Sequence, residues 1–568
     1  MVVVVISWIY IAAICLSIGI AVNKALSKLI PVPGYKHIGY TGYIVTGLVT
    51  LTVYAETFSI FYKVGAVCHA IMLAVAIVTA FFNRDEIKAI VTSVIRKLRG
   101  NRLILFAAVI VAGAFFTSRG TFHTDTGIYH AQAIRLIEEY GVLKGLGNLQ
   151  LHYAYNSSYL PLCALFTLSF ILPFALHTMT GFLMVLFTIY AIDGLFDFTR
   201  HGKHGGDMAR VAILIYAFGN MTGLQSPATD YSTMFMVLYI FCGWITYAEE
   251  VAVNSFDRRE DIAYYGYLSV LAIFVVSMKL SAAMVVLLAT LPFIALVKKK
   301  MWKELTFFLL IGFLSFLPYL VRNVILSGWL FYPVSAIDLF NFDWKIPAEY
   351  MKIDSDQIKV WGRCLFDVNK VDLSVSQWIG PWWENKQHYE EMLCYSQIVA
   401  IPLLILGVVG RIREKTTNPA LPAFYMAILV NLVMWFMTAP FIRYGLAFML
   451  LLPLCVMGDA LDVIARKKNI VLAFLAALIA INFFSWIDRY FTDDLVFVKH
   501  YITDDYYLVP VEFPKSDMST MDMNGQTIYI AGIDEVNSYH VYPGSCYGMM
   551  AERTELRGDS FEDGFKAK

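Results

Sequence analysis

Charge is scarce in this chain and has no bias. Only 15% of its 568 residues are Asp, Glu, Lys or Arg, and 44 basic side chains face 44 acidic ones, for a net charge of zero. The usual share is about 25%, and the balance excludes the polybasic surface of a nucleic-acid binder. There are eight cysteines but no CxxC, HExxH or close His/Cys spacing, which excludes a structural zinc site of familiar pattern. A Walker A sequence is missing, so nothing suggests an internal ATPase. No repeat of fixed period and no low-complexity stretch occurs, which weighs against the inverted-repeat plan of many secondary transporters. Met1 to Ile6 contains no basic residue and no small-residue cleavage site follows, so the first apolar segment reads as a retained span and not a signal peptide.

Apolar sequence fills the space. Hydrophobic residues make up 58% and mean hydropathy is +0.62, the composition of a polytopic membrane protein. Windows near the roughly 20 residues needed to cross a bilayer fall at 3–22, 38–60, 64–82, 103–118, 178–196, 209–223, 232–248, 263–278, 282–297, 304–325, 394–411, 421–438, 445–464 and 470–488. This predicts an all-α membrane fold of about fourteen spans. Only Cys364, Cys394 and Cys546 lie outside or at the edge of a span, so at most one disulfide can form among them.

Basic residues in short loops orient such a chain. They cluster in alternate loops: Lys24 to Lys36, Arg84 to Arg102, Arg200 to Arg210, Arg258 and Arg259, Lys298 to Lys303, Arg411 to Lys415, and Arg466 to Lys468. Those loops are expected to be cytoplasmic. The apolar stretch 159–175, if it crossed, would invert every later loop, so it is read as a juxtamembrane or re-entrant helix between Pro161 and Pro173. The opposite side then holds loops 119–177 and 326–393 and a tail from 489 onward. Asn524-Gly525 is a hairpin signal in that tail, which reads as a small α+β region.

The most polar stretch is RGTFHTDTGIYHAQAIRLIEEYGVLKGLGNLQLHYAYNSS, 119–158. Asp125 precedes a helical segment from Ile128 to Tyr140 that has an apolar face and carries His130 and Arg135. A carboxyl beside a low-dielectric wall can have its proton affinity raised, which suits a base that takes a proton from a hydroxyl. The alternative is that Asp125 only caps the helix. The glycines of GLGNLQ, 145–150, follow no strand and lack GxGxxG, so they read as a turn and not a nucleotide loop.

A span, an external Asp, a short amphipathic helix and a second membrane-apposed helix together resemble the GT-C superfamily of integral-membrane glycosyltransferases. The wording TDTGIYHAQAIR, EYGV, GLGNL and NSS is also similar to that of a group of bacterial membrane proteins from surface-polysaccharide settings. The resemblance covers about 103–488 and implies a polyprenyl-phosphate-linked sugar donor, a glycan or lipid acceptor, membrane lipids as surroundings, no nucleic acid, and Asp125 as catalytic base. It further implies a bacterial inner membrane with the active site on the periplasmic face. Three parts follow: N-terminal helices and a basic loop at 1–102, a GT-C-like core at 103–488, and a small external domain at 489–568. Thr124 and Thr126 flank Asp125 where several GT-C families have DE or DxD, which leaves the cofactor open between none and a divalent cation, Mg or Mn.

Other polar residues gather at the same expected side. Asp230, in QSPATDYS, stands where GT-C enzymes often place a second acid, or else caps the next helix. Lys279 lies between two spans with no room for a loop; it either snorkels or meets a carrier phosphate. Arg322 and Asn323 end an apolar span in a segment resembling an RN-x-G-x-P pattern, with Trp329 where a smaller residue is common, and Arg443 with Tyr444 ends another. The arginines suit bidentate phosphate contact or interfacial anchoring. Trp382, Trp383 and Glu384 suit a sugar face, or an aromatic belt. His123, His130 and Arg135 complete the candidate substrate contacts. The expected function is transfer of a sugar to a cell-surface acceptor, with a lipid-linked oligosaccharide flippase or a polysaccharide polymerase as alternatives.

Overall fold

A computed structural model describes residues 1–119, 122–197, 203–251, 256, 258–414, 418–464, 473, 476–477, 480, 507–532 and 536–568, with backbone alone at 406–414 and 462–464. The protein is mostly helical. The first two helices, α1 (Val2–Ser27) and α2 (Tyr35–Phe61), cross at glycines. A Cβ on Gly19 would lie 1.9 Å from the Tyr43 carbonyl oxygen, and one on Gly47 would lie 2.0 Å from that of Cys15. The backbones therefore touch, as small residues allow between membrane helices. Next come α3 (Ala66–Phe82) and α4 (Arg84–Lys97), bent 84° from each other, and α5 (Asn101–Ser118).

The first large loop folds as a π-helical turn at Thr126–His130, then α6 (Ala131–Tyr140), α7 (Leu146–Leu149), a 3-10 turn at Leu151–Tyr155 and α8 (Tyr159–Phe166). Eight residues make α8 about 12 Å long, too short to cross, and all of them are buried. The stretch at 159–175 thus behaves as a non-crossing element, as the charge pattern requires. The bundle continues with α9 (Met179–Leu195), α10 (Gly205–Gly219), α11 (Thr229–Glu250) and α12 (Arg259–Met278). A 3-10 helix at Leu280–Ala289 runs into α13 (Thr290–Lys298), and α14 (Trp302–Ser327) follows. After α15 (Ala348–Gly362) and α16 (Val375–Glu384), the helices α17 (His388–Glu414), α18 (Ala420–Thr438) and α19 (Ile442–Ile464) complete the described bundle. Its centre is α11, where Trp244, Phe235 and Phe241 are fully buried.

Among the described residues nine helices are long and apolar enough to cross a membrane, or ten if the bent α3–α4 pair is one span. The fourteen expected spans are therefore met only in part. Window 64–82 becomes one arm of the bent pair, while 178–196 and 209–223 become helices of 17 and 15 residues, short for a bilayer. Window 394–411 lies in α17, partly described by backbone alone, and 470–488 falls largely outside the described residues.

The 3-10 stretch has a reason in its packing. Its buried residues are Ala282, Val285 and Leu288, a spacing of three that a three-residue turn stacks into one stripe. Lys279 sits at the tip of the hairpin formed with α12, and Lys298 at its far end.

In the tail, β1 (Met518–Met523) and β2 (Gln526–Ala531) pair antiparallel around Asn524 and Gly525, both at positive φ, which is the expected two-residue hairpin. β3 (Gly544–Ser545) adds in parallel, and β4 (Thr554–Leu556) pairs with β5 (Phe565–Ala567). This region shares its core with the first loop: Ile528, Leu556 and Phe565 pack with Leu136, Leu143, Leu146 and Leu149. All eight cysteines are free thiols.

Candidate functional site

Four ionic groups from four separate elements meet at one end of the bundle. Asp125 comes from the first loop, Asp230 from the first turn of α11, Lys279 from the break after α12 and Arg443 from the start of α19. Arg443 lies 3.4 Å from the Asp125 carboxylate through Nη2 and 3.7 Å from that of Asp230 through Nε. Lys279 Nζ pairs with the other oxygen of Asp230. Tyr444 closes the group: its hydroxyl accepts from Arg443 Nη2 at 3.2 Å, and its ring faces Lys279 Nζ at 4.2 Å.

His123 is the fifth member. Arg443 Nη1 donates to its Nε2 at 2.6 Å. The Asp125 backbone N–H points to Nδ1 at 3.1 Å, and the Asp125 carboxylate lies 3.6 Å from the same nitrogen, so both edges of the ring meet this cluster. The His123 backbone N–H donates to Ser226 Oγ at 2.6 Å, tying the loop to the start of α11.

Neither aspartate serves as a helix cap. Asp125 precedes the π-turn without a side-chain bond to its backbone, and Asp230 lies inside α11, whose cap position is Ala228. Both carboxylates point to cations instead, which removes the simple capping reading. Lys279 does not snorkel either, since its ammonium turns inward to Asp230. The expected rise in proton affinity at Asp125 is reversed. Burial pushes its carboxyl upward, but Arg443, His123, His130 and Lys279 together hold it below the ordinary aspartate value. The carboxylate stays ionised. His130, fully buried, is pushed down to about 3 by burial and is neutral; among the described residues neither ring nitrogen has a hydrogen-bond partner.

A divalent cation does not fit between these carboxylates. The Arg443 guanidinium occupies the position between Asp125 and Asp230, and Lys279 holds the remaining Asp230 oxygen. Among the described residues no group of three or more His, Cys, Asp or Glu is placed to hold a metal ion.

Arg322 and Asn323 lie apart from this cluster. Arg322 Nε donates to Asn156 Oδ1 at 3.0 Å and its Nη1 to Ser59, with the buried Glu56 of α2 in the neighbourhood. Asn323 accepts from Asn156 Nδ2 at 2.9 Å and donates to Leu330 O at 3.1 Å. These two residues fix the Asn156-Ser157-Ser158 turn. Ser157 Oγ in turn donates to Met278 O at 2.6 Å, and the Ser158 N–H to Ser277 O at 3.0 Å. The residue after Met278 is Lys279, so Arg322 reaches the cluster through the turn and not as a second phosphate arm.

Arg135 is also elsewhere, bound to Glu139 at 2.9 Å and stacked on Tyr542 at 4.7 Å. Trp382 is buried; its indole N–H donates to Pro440 O at 2.9 Å, just ahead of Arg443, while Trp383 is half-buried and Glu384 exposed. The tryptophans form a packed group with Trp378, Trp435 and Phe436.

Three supporting groups escaped the sequence reading. Glu56 signalled itself as a lone carboxylate in an apolar helix. Asn537 gave no signal, because it bonds to backbone: its N–H donates to Gly127 O and its Nδ2 to Ile128 O, each at 2.8 Å, pinning the π-turn behind Asp125. Glu138, 5% exposed, accepts from Thr167 and Tyr539, so it ties α6, the end of α8 and the tail together. Burial pushes its carboxyl up to about 7 against the pull of those bonds and of Arg135.

A family model described as Domain of unknown function (DUF8201) matches residues 1–450. No curated protein and no solved structure matches the chain. The whole ionic cluster falls inside the matched range.

Proposed function

The chain belongs to the DUF8201 family, and from its own residues we propose that it is a membrane glycosyltransferase of GT-C type, moving a sugar from a polyprenyl-phosphate-linked donor to a cell-surface glycan or lipid acceptor on the non-cytoplasmic face. One observation carries this reading: two carboxylates and two cations, scattered from position 125 to 443, converge at a single end of the bundle. Such a set suits group transfer from a phosphate.

In the proposed reaction the bond between the anomeric carbon and the phosphate oxygen breaks, and its electron pair stays on the phosphate. Lys279 and Arg443 exchange part of their carboxylate contact for that oxygen. The acceptor hydroxyl forms the new bond to the anomeric carbon and gives its proton to Asp125. A carboxylate held below the ordinary range is a weak base. It suffices because a hydroxyl becomes strongly acidic once its oxygen is bonded to the sugar, so Asp125 aligns the acceptor first and takes the proton late. His123 keeps Asp125 in place by accepting its backbone N–H at Nδ1. No step uses a divalent cation.

The flippase alternative calls for charge in mid-span or on both sides of a cavity. The buried Glu56 and Arg322 lie near the ends of α2 and α14, and Arg322 is linked through the Asn156–Ser157 turn to the end of α12 beside Lys279, which favours the transferase. The polymerase alternative shares the donor chemistry and differs in acceptor. The test is Asp125→Asn in the intact protein. Folded, membrane-resident variant with a lipid-linked sugar accumulating supports transfer; normal glycan with no accumulated intermediate rejects it.

A further inference from the structure

The segment between α3 and α5 is placed by its neighbours. Both flanking helices are apolar, and α4 turns 84° away from α3 before α5 begins at Asn101. A helix anchored at both ends to membrane-entering helices and lying across them runs along the bilayer boundary. It sits at the end opposite the ionic cluster: Met1 reaches Ser118 at the far end of α5, whereas Lys24, at the other end of α1, pairs with Glu86 of α4.

The two long sides of α4 differ. Ile90 is buried against the bundle, but Val91 and Ile95 are 42% and 61% exposed, next to the exposed Phe81 and Phe82 of the corner. Arg84, Lys88, Arg96 and Arg99 border or oppose this apolar strip. The acidic residues of α4 do not neutralise them all: Glu86 is taken by Lys24, and Asp85 lies 4.0 Å from Arg84. Lys97 is held by Asp193 at 3.3 Å. Among the described residues no carboxylate pairs with Lys88, Arg96 or Arg99.

We propose that α4 is a docking surface for anionic phospholipid headgroups of the leaflet at this end, with Val91 and Ile95 in the acyl region and Lys88, Arg96 and Arg99 on the phosphates. The exposed aliphatic strip selects a bilayer over a soluble anion, and the unmatched cations select an anionic lipid over a zwitterionic one. The proposal does not depend on the transferase reading.

The test uses the full-length protein in neutral detergent, titrated with phosphatidylglycerol or phosphatidylcholine and read by native mass spectrometry. The intact chain is expected to bind phosphatidylglycerol about tenfold more tightly. Lys88→Gln, Arg96→Gln and Arg99→Gln combined should abolish that preference. A control triple at the same end, Lys298→Gln, Lys300→Gln and Lys303→Gln, should keep it. Equal binding of both lipids by the intact chain, or equal loss in both triples, overturns the proposal. So does displacement of the lipid by glycerol phosphate or by polyglutamate, which would identify a free phosphate or an acidic polypeptide as the occupant.

Discussion

Asp125 and Asp230 share one counter-ion. Arg443 stands between them, 3.4 Å from the first and 3.7 Å from the second, while Lys279 contacts Asp230 directly and acts on Asp125 only at longer range. The two carboxylates are therefore unequal: Asp230 has two cations and Asp125 has one cation and a histidine.

Arg443→Gln leaves Asp125 with burial as its dominant influence. Stability should fall by about 2–3 kcal/mol, below the figure for fully buried pairs because Arg443 is about a third exposed. The sign with pH follows from the depressed Asp125 value. Its contribution is complete above the ordinary aspartate range and disappears as pH falls through the lower folded value. In the variant, where burial raises the Asp125 value, this acid-side loss disappears. Unfolding followed against pH in detergent checks both effects; an unchanged acid-side loss contradicts the pairing.

Glu138 titrates in the opposite sense. Its folded value is raised to about 7, so its contribution is full below the ordinary glutamate value and is lost as pH rises toward and through 7. The contact between α6 and the tail should loosen above that point. Hydrogen exchange at 536–546, corrected for intrinsic rate, is expected to accelerate in the intact protein and to lose this step in Glu138→Gln.

Asn156→Ala takes one partner from the Arg322 guanidinium and one from the Asn323 amide. A loss of about 2–4 kcal/mol is expected, and Lys279 should become more reactive to an amine reagent as its support by Ser157 relaxes. Unchanged lysine reactivity would separate the turn from the cluster.

Gly47→Leu forces a side chain into the Cys15 backbone. The α1–α2 crossing cannot form without displacement, so folded protein in the membrane should drop several-fold, while Gly34→Leu, with nothing within 4 Å of its Cβ, should not.

The ionic cluster was legible because charge is conspicuous in apolar sequence. Asp125, Asp230, Lys279 and Arg443 each interrupt or end a hydrophobic window, and the alternation of basic loops assigns them one side. That argument fixes a side but not a partner. Arg322 satisfies it too, yet it turns to Ser59 and Asn156, a choice made by how α2 and α14 pack. Asn537 was invisible for a different reason: it serves main-chain carbonyls of Gly127 and Ile128, which no side-chain pattern records. The span count is met only in part where apolar sequence became helices of 15 or 17 residues, since hydropathy reports composition and not where a helix stops.

The tight winding at Leu280–Ala289 makes helix pitch and ion pairing one coupled degree of freedom. Ten residues rise about 20 Å in a 3-10 helix and about 15 Å in an α-helix. Lys279 is also bonded into the end of α12, its N–H donating to Val275 O at 3.4 Å, so a wider coil below could part the ammonium from Asp230 only by drawing the end of α12 down with it.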